Sequence, residues 1–261
     1  MLDDARTFLF VPGDRPERYA KAAQAGADIV IIDLEDAVLP DRKTFAREAL
    51  GSYLENNRSV VVRINAPGTA WFADDIAQVN HWKPAGVVVP KVEGSDAFSG
   101  LTLPLLPLIE TANGFANLSE ICSAERVSRC LFGTIDFMQD LGIADDGPGL
   151  AFFRSQMVLM SRLAGIAPPV DGVTTNFTSP DATTIDTRRA LEFGFSAKLC
   201  IHPRQVDWVH KAMCPSSGEI EQAQKIILAS QSASHGAIVV DGKMVDRPVI
   251  ERAMKTLRYV H

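Results

Sequence analysis

Eight short apolar runs recur along the 261 residues, and the segments between them carry helical spacing. They begin at Thr7 (TFLFVPG), Ala27 (ADIVIIDLED), Ser59 (SVVVRIN), Gly86 (GVVVPK), Leu103 (LPLLPLIE), Val127 (VSRCLFGTID), Pro168 (PPVDGV) and Ala197 (AKLCIHP). Nearly continuous β-branched runs of this length suit strands buried on both faces, as in a parallel sheet, better than the alternation of a half-exposed one. Parallel neighbours need crossovers, and DRKTFAREALGSYLENN after the second run and FFRSQMVLMSRLAG after the sixth have the periodicity to supply them. Eight strand–helix repeats without a long Pro/Gly/Ser linker point to one closed TIM (β/α)8 barrel, close to the ~250 residues typical of that fold. The alternative is an open doubly wound sheet. Its nucleotide-binding signatures are missing, since no G-x-G-x-x-G follows the first strand and no Walker loop occurs.

The barrel is expected over residues 1–214, with a C-terminal extension over 215–261 of helix–hairpin–helix form. SSGEIEQAQKIILASQSAS reads as a helix, VVDGKMV has the apolar–DG–apolar shape of a hairpin, and RPVIERAMKTL resumes helical spacing with Pro248 near its start. A net charge of -6 with no Lys/Arg block gives little reason to bind nucleic acid or an anionic membrane, so small-molecule partners are expected. The opening MLDDARTFLFVPGD has a short apolar run and no cationic leader, which argues against a signal peptide or spanning helix and leaves the cytoplasm as the default. Cys122, Cys130, Cys200 and Cys214 lack C-x-x-C spacing and read as small core residues.

In a TIM barrel the chemistry collects where strands end. The ends of these runs are mostly charged: Glu35 and Asp36, Arg63 and Asn65, Lys91, Glu110, Asp136 and His202. One such residue alone is as readily a solvated strand end; a cluster of cations and carboxylates on one mouth is costly unless it binds a metal and an anion. Glu110 and Asp136 are the expected metal pair, because Mg²⁺ takes one or two protein carboxylates and leaves other positions to water and substrate. Zinc has no support, since His81, His202, His210, His235 and His261 show no H-x-x-x-H spacing. Arg63 suits a substrate carboxylate or a developing oxyanion. Arg15, Arg18 and Lys21, three apart where a helix starts, suit a phosphate-bearing ligand, or equally form a solvated helix face with Glu17. Asp246, just before RPVIERA, reads first as an N-cap.

As a set, FVPGDRPERYAKA, IIDLEDAV, VRIN, VPK, LIET, FGTIDFMQDLG, GFSAKLCIHPRQV and GKMVDRPVIERA resemble, in order and over nearly the whole chain, the family of citrate lyase β subunits, malyl-CoA lyases and citramalyl-CoA lyases. The resemblance implies a TIM barrel with an appended C-terminal segment, commonly a homotrimer, that cleaves a β-hydroxyacyl thioester to acetyl-thioester and a 2-oxo acid. It implies Mg²⁺ on Glu110 and Asp136, Arg63 on the reacting substrate, and coenzyme A contacts from Phe10, Arg15 and Lys21. It also matches Asp246 to an aspartate that reaches a neighbouring subunit's active site, which reverses the N-cap-only reading. Glu35 and Asp36 either take the hydroxyl proton through water or anchor metal waters and Arg63. The chain departs from the family pattern at Asn176 and Ser179, where relatives often carry aspartate, and at Ala197, where glycine is usual.

Of the thioesters, citramalyl-CoA is favoured over malyl-CoA and citryl thioesters. Three other readings stay open. A pyruvate-type metal aldolase would not need Arg15 and Lys21; a citrate lyase subunit would act on a carrier-protein thioester; a non-catalytic binding or regulatory subunit would bind ligand without turnover.

Overall fold

The computed structural model describes residues 2–232 and 238–258, so His235 and His261 lie outside the described residues. Two compact units divide the chain, Met1–His210 and Lys211–His261. The division was expected after Cys214. It falls after His210 instead, inside a continuous helix, where no change of composition marks it.

In the first unit the strands are β1 (Thr7–Pro12), β2 (Ile29–Asp33), β3 (Val61–Arg63), β4 (Gly86–Val89), β5 (Leu105–Ile109), β6 (Leu131–Phe132), β7 (Val170–Asp171) and β8 (Ala197–Cys200). Each pairs in parallel with the next, and β8 pairs with β1 to close the barrel. The helices that follow them are α1 (Tyr19–Ala23), α2 (Lys43–Leu54), α3 (Phe72–Trp82), α4 (Ala112–Ala116), α5 (Leu118–Ser123), α6 (Thr134–Leu141), α7 (Ala151–Ala164), α8 (Pro180–Phe193) and α9 (Pro203–Met213). Side chains alternate across each strand. Phe8, Ile29, Ile31, Val61, Val88, Leu106, Leu108, Leu131, Val170, Ala197 and Leu199 therefore fill the barrel interior as one apolar cluster. Residues of the opposite parity face the helix layer. Cys122, Cys130 and Cys200 are buried as expected, but Cys214 is exposed, because it lies just past the end of α9 rather than on a strand.

In the second unit, α10 (Ser217–Ser232) and α11 (Arg247–Arg258) flank an antiparallel hairpin of β9 (Ile238–Val240) and β10 (Lys243–Val245). Asp241 and Gly242 turn it with φ of 51° and 74°, the left-handed pair that a tight two-residue hairpin requires. Ala223, Ile226, Val240, Val245 and Ala253 form its own small core. Among the described residues no helix is long and apolar enough to cross a membrane.

Candidate active site

The strand alternation that fills the interior with Ile31, Val61 and Leu108 carries on two residues further to Asp33, Arg63 and Glu110. These three are the next inward positions on β2, on β3 and just past β5, so the apolar interior gives way to charge at the C-terminal mouth. Arg63 Nε and Nη2 each donate to an Asp33 carboxylate oxygen at 2.6 Å, a bidentate pair. Its Nη1 lies 3.1 Å from Glu35 Oε2, and its guanidinium sits 4.8 Å over the Phe10 ring. Burial disfavours the Arg63 charge, but Asp33 and then Glu35 outweigh it, and the pKa is raised. Asp33 also accepts from the backbone N–H groups of Glu35 at 2.8 Å and Ala37 at 3.1 Å, which folds the loop after β2 around it.

Lys91, just past β4, is tied at both ends. Its backbone N–H donates to Glu110 Oε1 at 2.7 Å, and its Nζ to Glu35 Oε1 at 2.8 Å and Asp36 Oδ1 at 3.4 Å. These bonds hold it at a φ of 48°, a left-handed conformation that a non-glycine residue adopts only at a cost of about 1–3 kcal/mol. Burial raises the Glu35 pKa, while Arg63 and Lys91 pull the other way without reversing it.

Glu110 is 1% exposed. Burial, and after it the Glu35 charge, pushes its pKa up to about 8 against the pull of Arg63, and Asp136 adds to the rise. Asp136 stands in the first turn of α6, which begins directly after β6. Gly133, three residues before Asp136, packs against the Glu110 side chain. A side chain there would put a Cβ 2.6 Å from Glu110 Cβ, so only glycine lets the strand pass so close to that side chain. Asp33, Arg63, Glu110 and Asp136 line one cavity of about 200 Å³ with Phe10, Leu108, Val173, Leu199 and Ile201.

Among the described residues no three His, Cys, Asp or Glu side chains converge as a metal-binding group. Two carboxylates, one buried and hard to ionise beside the other, nevertheless fit a hard divalent ion that keeps water or substrate oxygens for its remaining positions. A cation between Glu110 and Asp136 would offset the burial that, with the Glu35 charge and then Asp136, holds the Glu110 pKa high.

The remaining expected residues are placed differently. Phe10 lies inside the cavity beneath Arg63, whereas Arg15 and Lys21 are exposed outside its lining. Arg15 pairs with Asp14 at 3.8 Å, and the helical start is a short 3-10 turn, Pro16–Arg18, followed by the five residues of α1. Burial, Arg204 and then Lys21 lower the His202 pKa, and its ring stacks on Phe177 at 5.2 Å. Asn65 is buried in a separate network, taking Lys43 Nζ at 2.6 Å and donating to Asp75 at 2.6 Å. Ser179 caps α8 by accepting from Ala182 N–H at 3.1 Å, and Asn176 accepts from the Thr178 hydroxyl at 2.9 Å. In the second unit Asp246 Oδ1 accepts from Val249 N–H at 3.4 Å at the start of α11. Asp33 was not singled out from the sequence. Its parity with Ile29 and Ile31 was the available signal, and it is the group that orients Arg63.

Residues 6–203 match the family model described as HpcH/HpaI aldolase/citrate lyase. A citrate lyase subunit beta-like protein of Deinococcus radiodurans is 34% identical, over 97% of this chain and 96% of that protein. A (3S)-malyl-CoA thioesterase of Cereibacter sphaeroides is 33% identical, over 97% and 93% respectively. The crystal structure of CitE from Mycobacterium tuberculosis in complex with magnesium, acetoacetate and coenzyme A superposes with a TM-score of 0.91 at 33% identity, covering 99% of both chains. With a matching family model over most of its length and full-length relatives above 30% identity, the chain belongs to the HpcH/HpaI aldolase/citrate lyase family, a family of enzymes that make and break carbon–carbon bonds.

Proposed function

We propose that this chain is a Mg²⁺-dependent carbon–carbon lyase that converts a short β-hydroxyacyl-CoA, with citramalyl-CoA favoured over malyl-CoA and citryl thioesters, to acetyl-CoA and a 2-oxo acid. The observation that carries the reading is Glu110, fully buried and hard to ionise beside Asp136, with Arg63 locked alongside. Relatives whose names include citrate lyase and malyl-CoA, and a structural neighbour holding magnesium and coenzyme A, support it.

Bound Mg²⁺ would polarise the substrate hydroxyl and carboxylate oxygens, making the hydroxyl proton easier to remove. Glu35 is the base we assign, since it is buried with a raised pKa and meets Arg63, which lines the cavity, at 3.1 Å, while the half-exposed Asp36 steers Lys91. As the proton leaves oxygen, the bond between the hydroxyl-bearing carbon and the α-carbon breaks. Its electron pair moves to the thioester as an enolate, whose oxygen Arg63 stabilises with its fixed charge. Asp246, delivered by a neighbouring subunit of a homotrimer, returns a proton to that carbon and yields acetyl-CoA. Arg15 and Lys21 take the coenzyme phosphates, and the enzyme works in the cytoplasm. In Asp246→Asn the cap on α11 survives and only the proton donor is lost, so kcat is expected to fall by about 10²–10⁴; a correctly assembled variant at wild-type rate removes Asp246 from the chemistry.

The test is purified protein with Mg²⁺ and citramalyl-, malyl- and citryl-CoA, scored for both 2-oxo acid and free coenzyme A. Pyruvate and acetyl-CoA in equal amounts support the proposal. The thioesterase name of one relative favours a second reading, hydrolysis, which releases free coenzyme A and no 2-oxo acid.

A further inference from the structure

Two of the buried thiols meet in the helix layer, away from the cavity at the mouth. Cys122 stands in the last turn of α5, and Cys130 immediately precedes β6, where its parity, opposite to that of the inward Leu131, turns it outward. Their sulfurs lie in contact at 3.5 Å, and the two residues are 1% and 0% exposed. The chain between them runs at the surface: residues 123–126 line one open cleft and residues 127–128 another. Within it Arg126 holds a φ of 67°, a left-handed conformation that is costly for a non-glycine residue. A strained segment between two clefts opens more readily than a packed wall, and gives a water-sized oxidant a way to the sulfurs. The two thiols are not equivalent. Cys130 donates to the Cys122 sulfur, which with help from the Ser161 hydroxyl on α7 lowers the Cys122 pKa against burial, while the same bond and then burial hold Cys130 well above its ordinary value. Burial pushes the Cys200 thiol up to about 12.

We propose that Cys122 and Cys130 form a reversible dithiol–disulfide site, oxidised by hydrogen peroxide and restored by a small-molecule thiol, with Cys122 attacking and Cys130 resolving. The Cys122 thiolate attacks one peroxide oxygen and the O–O bond breaks. The departing hydroxide takes up the proton that Cys122 gave up, which leaves a sulfenic acid and one water. The Cys130 sulfur then attacks the Cys122 sulfur, the S–O bond breaks, and the hydroxyl leaves with the Cys130 proton as a second water. Two electrons thus pass from the two thiols to the peroxide. The sulfurs have only to close from 3.5 Å to about 2 Å. Two molecules of a small thiol reverse the change by exchange and are themselves joined as a disulfide. Because the resolving sulfur already touches the attacking one, Cys122 is captured before it can be oxidised further to the irreversible sulfinic acid. The site owes nothing to the chemistry at the mouth and does not depend on the lyase reading.

The experiment exposes the reduced full-length protein, carrying Cys214→Ser to remove the exposed thiol, to hydrogen peroxide, blocks the remaining thiols and digests it. Trypsin cuts after Arg126 and Arg129, between the two cysteines, so a bridge appears as two joined peptides that have lost two hydrogens, and prior treatment with glutathione should separate them. Bridging should run at least about 10-fold faster than oxidation of Cys200, the buried thiol whose ionisation is held down. Adding Cys130→Ser removes the resolving sulfur, so dimedone should label Cys122 as its sulfenic acid, whereas adding Cys122→Ser instead should leave Cys130 unlabelled. Bridging no faster than Cys200 oxidation, bridging confined to the denatured protein, or labelling of Cys130 in preference to Cys122 overturns the proposal. The rate comparison needs neither of these two variants, so it decides the matter even where one of them fails to fold.

Discussion

The barrel unit contains two groups of buried charge that differ in whether the protein completes them. In the helix layer, Asp171 on β7 accepts from Arg154 Nε at 3.0 Å and Lys198 Nζ at 3.1 Å. Arg154 continues to Asp146 at 2.6 Å, and Arg189 joins Asp146 to Asp186 at 3.0 Å each. Burial opposes ionisation of Asp171, yet Lys198 and Arg154 prevail and its pKa is lowered. At the mouth the residue types are the same, but Glu110 accepts one backbone N–H, and burial, then the Glu35 charge and more weakly Asp136, raise its pKa. Strand parity separates the groups: Asp171 and Lys198 pair across β7 and β8 on the face opposite Val170 and Leu199. The first, closed group pairs its carboxylates with cationic side chains, whereas in the second, open one Glu110 takes a backbone N–H.

Breaking the closed group should have the largest effect on stability. Asp171→Ala leaves Lys198 and Arg154 buried without their shared partner and should cost about 3–5 kcal/mol in chemical denaturation. A loss below 1 kcal/mol would mean that the network is not structural. Breaking the open group should affect chemistry instead. Arg63→Lys keeps the charge but loses the fork held by Asp33, so kcat should fall about 10²–10³-fold with little change in unfolding midpoint. Equal losses in both properties would erase the distinction.

The pH response should carry opposite signs in the two groups. The folded pKa of Glu110, about 8, lies above its ordinary 4.5, so its ionisation erodes the stability of the metal-free protein as pH rises from about 5 to 8. Asp171 has a lowered folded pKa, so its contribution is present above the ordinary aspartate range and is lost as pH falls through the folded value. Added Mg²⁺ should therefore raise Tm more at pH 8.5 than at pH 6, because a proton competes for Glu110 at the lower pH. Melting curves in EDTA and in Mg²⁺ across that range check this, and a Mg²⁺ effect independent of pH would contradict it.

Local pattern made the barrel legible. Each strand is a self-contained apolar run, and the DG turn at Asp241 and Gly242 needs only the backbone geometry of two residues. Glu110, Asp136 and Arg63 were legible for the same reason, since strand ends in this fold point at the mouth. Asp33 was obscured because it sits inside IIDLED beside two more conspicuous acids, and parity rather than proximity to the end of the run identifies it. The network of Asp146, Arg154, Asp171, Asp186 and Arg189 could not be read. Its members lie on separate elements, and helix-on-strand packing alone brings them together. Phe10 stands in a strand whose alternation turns it inward, whereas the expectation for it came from family resemblance.

The central claim is that Glu110 and Asp136 together await a divalent cation, and calorimetric titration of Mg²⁺ at pH 8.5 tests it most directly. Wild-type protein should bind one ion. Folded Glu110→Gln, which removes the buried charge without changing its size, should lose at least about 100-fold in affinity, as expected when a metal site loses a ligand or a supporting partner. Binding of Mg²⁺ by Glu110→Gln with wild-type affinity, or no binding by the wild type, would contradict the claim.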